Sequence, residues 1–168
     1  MHELAALAAI GGRFVRLARR EKRPLGAAWQ TKWTDNPDDV DAWLQSGSNV
    51  GLLLGPGSGL IDVEFDTPAG PAELERLGLT GPTPTWRSAR GEHRLYWWQP
   101  DLPPMACCHV GGLEVRIGGR AAQSVLPPSR HPDGTTYRWT TSPADCPVAA
   151  IPATLMEELC GQPIISTA

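Results

Sequence analysis

The sequence predicts an α+β domain in which helices flank a mixed, largely antiparallel β-sheet. Short apolar runs recur through the middle of the chain and are separated by turns rich in glycine and proline. Helical patterns flank runs of strands, and several neighbouring strands are predicted to be antiparallel, which argues against a doubly wound sheet. The 168 residues, 41% of them hydrophobic, provide material for one globular core. We therefore expect a single domain over residues 1–168. It would have an N-terminal lobe over about 1–48, a central sheet over about 49–140 and a closing helix over about 152–160.

The N-terminal lobe combines helical and strand patterns. Apolar residues from Leu4 to Ile10 predict a helix that stops at Gly11-Gly12. The segment "RFVRLA" that follows is compatible with a strand or with a continuation of that helix. A second helix is predicted from Pro37 to about Gln45, because Asn36 or Asp35 can cap its first turn.

A series of strands fills the middle of the chain. The run Asn49–Leu54 and the run that begins at Leu60 are joined by "GPGSG", which predicts an antiparallel hairpin. This turn is not a phosphate-binding loop, because neither a Gly-Lys-Ser/Thr sequence nor a helix follows it. The other predicted elements are a helix at Pro71–Leu77, strands at Trp86–Ala89, His93–Trp98, Leu113–Ile117, "AQSVL" and "YRW", and a helix at Pro152–Cys160.

Charge distribution limits the kinds of partner that the chain can bind. The net charge is −3, so contact with a nucleic acid requires a local basic surface. Basic residues do crowd the N-terminal quarter, where they are Arg13, Arg16, Arg19, Arg20, Lys22 and Arg23. A solvated helix face explains this pattern equally well.

The cysteines indicate a reduced, cytoplasmic protein. Cys107, Cys108, Cys146 and Cys160 match no paired zinc spacing, and no signal peptide precedes them. The apolar segment near the N-terminus is too short to span a bilayer, so we expect no contact with a membrane. A metal held by the run from Cys107 to His109 stays open as an alternative, although adjacent cysteines chelate one ion poorly.

Three carboxylates alternate along the strand that begins at Leu60. Asp62 and Glu64 project to the same side, and Asp66 follows near the strand end, where it is also suited to form a turn. Like charges on one face repel, and burying them without partners is costly. Either the face is open to water or a divalent cation binds there.

Neighbouring strands supply further polar groups. Glu114 lies between apolar residues in "LEVRI", and His93 begins the strand in "RGEHRLYW". Carboxylates that converge from adjacent strands suit Mg²⁺ or Mn²⁺, which prefer hard oxygen ligands. Paired ions of this kind promote transfer of a nucleotidyl group.

In this order, the motifs resemble the archaeo-eukaryotic primase superfamily, specifically the prim-pol domain at the N-terminus of bifunctional DNA primase/polymerases. Asp62-Val63-Glu64 matches the family's DxD/DxE motif, His93 in "RGEHRLYW" matches its histidine motif, and Glu114 matches its third acid. The resemblance extends over about 13–139 and includes "SVLPPSRHPDGTTYRW". Two departures are Gly91, where the family often has serine, and Glu114, where aspartate is commoner.

The resemblance implies a primase-polymerase (RRM-like) catalytic core and assigns roles to residues. Asp62, Glu64 and Glu114 would hold two divalent ions, Mg²⁺ or Mn²⁺, and His93 would bind the nucleotide triphosphate or instead serve a structural role. Further nucleotide contacts would come from Arg116, Arg90, Gly91, Lys22 and, in addition, Lys32. Arg116 would alternatively pair with Glu114 or Asp66. Contacts with nucleotide or nucleic acid would come from Ser129, Arg130 and His131, although a plain turn is an equal explanation.

The implied function is template-dependent nucleotidyl transfer by a DNA primase, a DNA polymerase or both. The partners would be a DNA template and primer, NTPs or dNTPs, and a helicase domain or protein. Two other classes of function remain open. One is a metal-dependent nuclease or phosphatase that uses the same acids, and the other is a nucleotide- or nucleic-acid-binding module without turnover.

Overall fold

The computed structural model describes residues 1–161. Its helices are α1 (His2–Ala9), α2 (Pro37–Gln45), α3 (Gly70–Arg76) and α4 (Ala153–Cys160), with a 3-10 turn at Trp29–Thr31. Its strands are β1 (Phe14–Leu17), β2 (Trp33–Thr34), β3 (Asn49–Leu53), β4 (Leu60–Phe65), β5 (Thr85–Arg87), β6 (Glu92–Trp97), β7 (Cys107–Val110), β8 (Leu113–Arg116), β9 (Gln123–Val125) and β10 (Arg138–Thr141).

The strands form two antiparallel sheets. The small sheet has the order β2-β1-β3-β9, and the large sheet has the order β10-β5-β6-β4-β8-β7. Every ladder between these strands is antiparallel. The predicted α+β class is confirmed, and β4 lies near the centre of the large sheet between β6 and β8.

The predicted hairpin of β3 and β4 is wrong, because the two strands belong to different sheets. Only one isolated bridge, between Gly55 and Leu60, joins the ends of their connection. Gly55 has a φ of +83°, and a Cβ there would lie 2.1 Å from the carbonyl oxygen of Gly118. The chain therefore crosses tightly against a second segment at this point and passes into the other sheet.

The second helix forms as its sequence predicts. The Asn36 side chain accepts a hydrogen bond from the backbone N–H of Asp38 at 3.0 Å, so Asn36 is the cap and Asp35 is not. Pro37 occupies the first helical turn, where its missing N–H costs nothing. The helix buries Val40 against the small sheet and so covers one side of it.

Two apolar cores flank the large sheet. Leu60 belongs to the core that includes β1 and β3, whereas Ile61 and Val63 belong to the core against α3 and α4. Because side chains alternate along β4, Asp62 and Glu64 share the face of Leu60. The carboxylates therefore lie toward the small sheet, at the boundary between the two sheets.

The basic N-terminal residues do not form a helix face. Arg13 directly precedes β1, Arg16 lies on it, and the other basic residues occupy the turn that follows, so the helix-face alternative is wrong. The run Cys107–His109 lies on β7, where alternation places Cys108 on the opposite face from its two neighbours.

All four cysteines are free thiols. Among residues 1–161, no helix has the length and apolar character needed to cross a bilayer.

Candidate active site

The ladders of the large sheet bring the predicted acids and the histidine side by side. Glu64 on β4 is opposite His93 on β6 and also opposite Glu114 on β8. Asp62, two residues earlier, is opposite Arg116. Residues directly opposite each other in an antiparallel pair have neighbouring side chains on one face. The register therefore assembles a row of ionisable groups across three strands.

Asp62 is fully buried and is the most constrained of these groups. His93 Nδ1 and Asp62 Oδ2 lie 2.8 Å apart, and the Ser124 hydroxyl donates to the same oxygen at 2.5 Å. The guanidinium of Arg116 donates to it as well, at 3.2 Å. The other oxygen, Oδ1, is buried and has no hydrogen-bond partner among the described residues. An unpartnered carboxylate oxygen in a buried polar cluster fits a metal ligand.

The surroundings of Asp62 favour its ionised form. Burial alone would raise the pKa of this carboxyl, but the charge and hydrogen bond of His93 oppose that effect. Arg116 and Ser124 act in the same direction, and the pKa of Asp62 falls below its ordinary value. The carboxylate is therefore charged at neutral pH, as a metal ligand must be.

Arg116 joins all three predicted metal ligands. One nitrogen contacts both Asp62 and Glu64, and the other lies 2.9 Å from Glu114 Oε1. Burial would lower the pKa of the guanidinium, but the three carboxylates raise it further above its usual value. Arg116 is therefore a permanent cation at the centre of the acidic row, and Asp66 is not among its partners.

Packing fixes the imidazole of His93. Its ring stacks on Trp86 with a centroid distance of 4.7 Å and an interplanar angle of 3°. Trp86 is fully buried, and its indole N–H donates to the carbonyl of Val125 at 3.0 Å. With Nδ1–H donating to Asp62, Nε2 lies 3.6 Å from Glu64 Oε1. The histidine is therefore both structurally held and aligned with the acids.

The metal-ligand geometry selects a subset of the predicted residues. Within residues 1–161, one group of residues could together bind a metal ion. Asp62, Glu64 and His93 each offer one ligand atom, and these three atoms lie within 4.8 Å of one another. Glu114 is adjacent but outside this group, and its side chain is one-third exposed. The Cys107–His109 run is also outside it. Asp62, Glu64 and His93 are therefore candidate ligands for a divalent ion, and Glu114 lies on the neighbouring strand β8.

Two cavities adjoin the acids. One of about 140 Å³ is lined by Lys22, Glu64, His93, Arg116, Ser124 and Tyr137, together with neighbouring residues. The other, of about 280 Å³, is also lined by Glu64 and is bordered by Asp66, His109 and Glu114. The first cavity carries cationic groups and the second carries mainly acidic groups.

Other predicted site residues lie elsewhere. Arg90 is exposed in the turn before β6 and lines neither cavity. Ser129 is buried and exchanges hydrogen bonds with the backbone N–H and C=O of Val50, so it anchors its loop.

Two basic candidates and His131 also lie outside the acidic row. Arg130 is exposed and borders a separate cavity, while His131 Nδ1 accepts the backbone N–H of Asp133 at 3.2 Å. Lys32 lines a further cavity beside Trp29.

Sequence reasoning did not select Ser124, Trp86 or Tyr137. Ser124 comes from β9 of the small sheet and reaches across to Asp62. Tyr137 lines the smaller cavity with a buried hydroxyl, and burial, with the charge of Glu64, raises its pKa to about 12. The segment "AQSVL" has no alternation of polar and apolar residues that would single out Ser124, and only the arrangement of the two sheets identifies Asp62 as its partner.

Gly91 has a steric reason to be glycine. A Cβ there would lie 2.1 Å from the carbonyl oxygen of Phe65, at the end of the strand that carries Glu64. We expect Gly91→Ala to lower the free energy of unfolding by about 1–3 kcal/mol, measured by urea denaturation. Gly81→Ala is the matched control, because its Cβ would meet no heavy atom within 4 Å. Equal stability of the two variants would contradict this assignment.

A comparison with models of known protein families gives a match over most of the chain. The family model of the N-terminal domain of bifunctional DNA primase/polymerases (Prim-Pol) matches residues 3–154. This span contains the whole acidic row and every strand found among residues 1–161. No curated protein matches the chain.

Proposed function

The chain belongs to the Prim-Pol family of N-terminal domains of bifunctional DNA primase/polymerases, and on this premise we propose that it is a template-dependent nucleotidyltransferase, acting as a DNA primase, a DNA polymerase or both. Asp62, Glu64 and Glu114 hold two divalent ions, and His93 binds the triphosphate of the incoming nucleotide. The observation that carries this proposal is the buried, ionised Asp62 with its unpartnered oxygen, clustered with Glu64 and His93.

The donor set supports Mg²⁺ or Mn²⁺. Carboxylate oxygens are the ligands that these hard ions prefer, and the one guanidinium among them does not neutralise three carboxylates. When bound, the ions would stabilise the attacking and leaving oxygens of the transferred phosphoryl group.

The chain's own residues would position the nucleotide. Lys22 and Arg116 contribute cationic groups to the cavity beside His93, and such groups can contact the oxygens of a triphosphate. Trp86 and Asp62 hold the imidazole in one orientation, so its Nε2 is presented next to Glu64 without a further loss of side-chain entropy. Gly91 lets the turn that precedes β6, the strand of His93, approach the end of β4 closely.

A primer-extension assay tests the proposal. The chain is incubated with a primed and an unprimed template, Mn²⁺ or Mg²⁺, and either dNTPs or NTPs. We expect incorporation of the nucleotide complementary to the template, with no product when the divalent ion is chelated. Because family members act on nucleic acid and nucleotides together, product formation should need both.

The same assay separates the competing functions. Hydrolysis of labelled DNA with Mn²⁺ in the absence of any nucleotide would favour a nuclease or phosphatase that uses the same acids. Tight nucleotide binding without incorporation on any primer-template would favour a binding module. Either result would overturn the assignment as a polymerase or primase.

A further inference from the structure

A basic cavity lies apart from the acidic row. It has a volume of about 440 Å³ and lies between the turn after β1 and the loop after β9. Arg19, Arg20 and Arg130 border it, and all three are exposed. In the part of the chain that the structure describes, no carboxylate lies within 4.0 Å of their guanidinium groups. Their charge is therefore available to an external anion, although the whole chain is acidic.

A buried asparagine fixes the walls of this cavity. The Asn49 side-chain amide donates to the backbone carbonyls of Glu21 at 3.0 Å and Arg130 at 2.7 Å. Its oxygen accepts the backbone N–H of Arg130 at 3.0 Å. Asn49 is only 4% exposed, so these hydrogen bonds are shielded from water. They join the turn after β1 to the loop after β9. The arginines are thus presented from a fixed backbone, which lowers the ordering cost of binding.

The basic cavity adjoins the active site through one short turn. Lys22 lines the cavity beside His93, and Gln123 donates to its backbone carbonyl at 2.8 Å. Arg20 borders the basic cavity only two residues earlier, so the two Cα atoms are at most about 7 Å apart. One extended polyanionic strand can therefore contact both the basic cavity and the cavity beside His93.

A further cavity, lined by two tryptophans, is linked to the basic cavity by one hydrogen bond. Trp29 and Trp43 line a space of about 240 Å³ together with Arg16 and Lys32. Arg16 donates at 2.8 Å to the hydroxyl of Ser48, which borders the basic cavity. Cations interleaved with aromatic rings are typical of proteins that bind single strands, since phosphates meet the cations and bases stack on the rings. This arrangement favours a strand over an isolated phosphate.

We propose that the basic groove, defined by Arg19, Arg20 and Arg130 around Asn49, binds the phosphodiester backbone of a single nucleic-acid strand that leads into the active site. The proposal rests on the proposed function, because the strand bound is the template or primer. The groove is separate from the nucleotide site, which lies around His93 and Arg116.

Binding of a fluorescein-labelled oligothymidylate, followed by fluorescence anisotropy in EDTA over a range of salt concentrations, tests the groove. The logarithm of the association constant falls linearly with the logarithm of the salt concentration, and each cation that neutralises a phosphate of a single strand contributes about 0.7 to the steepness of this slope. Arg19→Gln/Arg20→Gln should therefore lower the steepness by about 1.4. Arg130→Gln should lower it by about 0.7. The control, Arg76→Gln/Arg87→Gln, removes the same charge from two arginines that pair with carboxylates, and it should leave the slope unchanged. Thermal melting confirms that each variant is folded.

A second ligand distinguishes the strand from the free nucleotide. Affinity for a nucleoside triphosphate with Mn²⁺ should be unchanged in Arg19→Gln/Arg20→Gln. If Arg19→Gln/Arg20→Gln weakens triphosphate binding but leaves oligonucleotide binding intact, the groove does not bind the strand. A salt-dependence slope equal to that of the control variant would contradict the proposal in the same way. The wild-type chain could bind the strand through these arginines and yet incorporate no nucleotide. That result would support the groove as a strand-binding site and contradict the proposed function.

Discussion

Replacing Asp62 by asparagine should lower the rate of nucleotide incorporation by about a thousandfold or more. The substitution keeps the shape of the side chain but removes the charge that holds a cation and the oxygen that has no partner. Metal-ion catalysis contributes several kcal/mol of charge stabilisation, and each 1.36 kcal/mol corresponds to a factor of ten in rate. Single-nucleotide incorporation at saturating Mn²⁺ measures the effect.

The matched control for this variant is Asp101→Asn. Asp101 is an exposed aspartate in the turn after β6, outside both cavities that adjoin the acids. We expect Asp101→Asn to incorporate nucleotide at the rate of the wild type. Circular dichroism of Asp62→Asn must show a folded chain, because Asp62 also receives the hydrogen bonds of His93 and Ser124. Full activity of folded Asp62→Asn would show that this carboxylate is not catalytic.

Local patterns were sufficient to predict most of the elements. The cap at Asn36 and the alternation in "LEVRI" act within a few residues, and α2 and β8 form close to their predicted bounds. Helix α3 begins one residue before its predicted start. Strand β7 was not predicted, because the sequence Cys107–Val110 has neither a run of β-branched residues nor a clear apolar alternation.

Sheet membership depended on contacts between residues far apart in the chain. The hairpin prediction failed because the close approach of Gly55 to Gly118 is invisible to a local pattern. For the same reason the sequence did not show that Ser124, from the other sheet, would donate to Asp62. The resemblance to a family supplied the four motif residues in their order. The stacking of Trp86 on His93 follows only from the register of β5 against β6.

The contacts of Arg116 show most clearly what the sequence left open. A pairing with Glu114 was one interpretation of its position on β8, but the structure adds Asp62 and Glu64 to the same guanidinium. Four strands contribute to this arrangement if Ser124 and His93 are included. Three like charges at this boundary need a counter-cation, and Arg116 provides it within the chain.

Replacing Arg116 by glutamine should therefore destabilise the chain strongly when no divalent ion is present. Breaking a buried ion pair by removing one partner costs about 3–5 kcal/mol, because the remaining carboxylates lose the cation that all three of them contact. For a chain of this size, that cost lowers Tm by roughly 6–20 °C. Differential scanning fluorimetry in EDTA measures the shift.

Added Mn²⁺ should then restore much of the lost stability, and it should raise the Tm of Arg116→Gln more than that of the wild type. A ligand at a hundred times its Kd stabilises the folded state by about 2.7 kcal/mol, and in the wild type the ion must share its carboxylates with the guanidinium. Arg76→Gln is the matched control, because Arg76 also contacts two carboxylates, Glu73 and Glu158, but at the surface. Its Tm should change little and should respond to Mn²⁺ as the wild type does. If Mn²⁺ raises the Tm of Arg116→Gln and the wild type equally, the cation and the guanidinium do not share these carboxylates, and the acidic row is not the metal site.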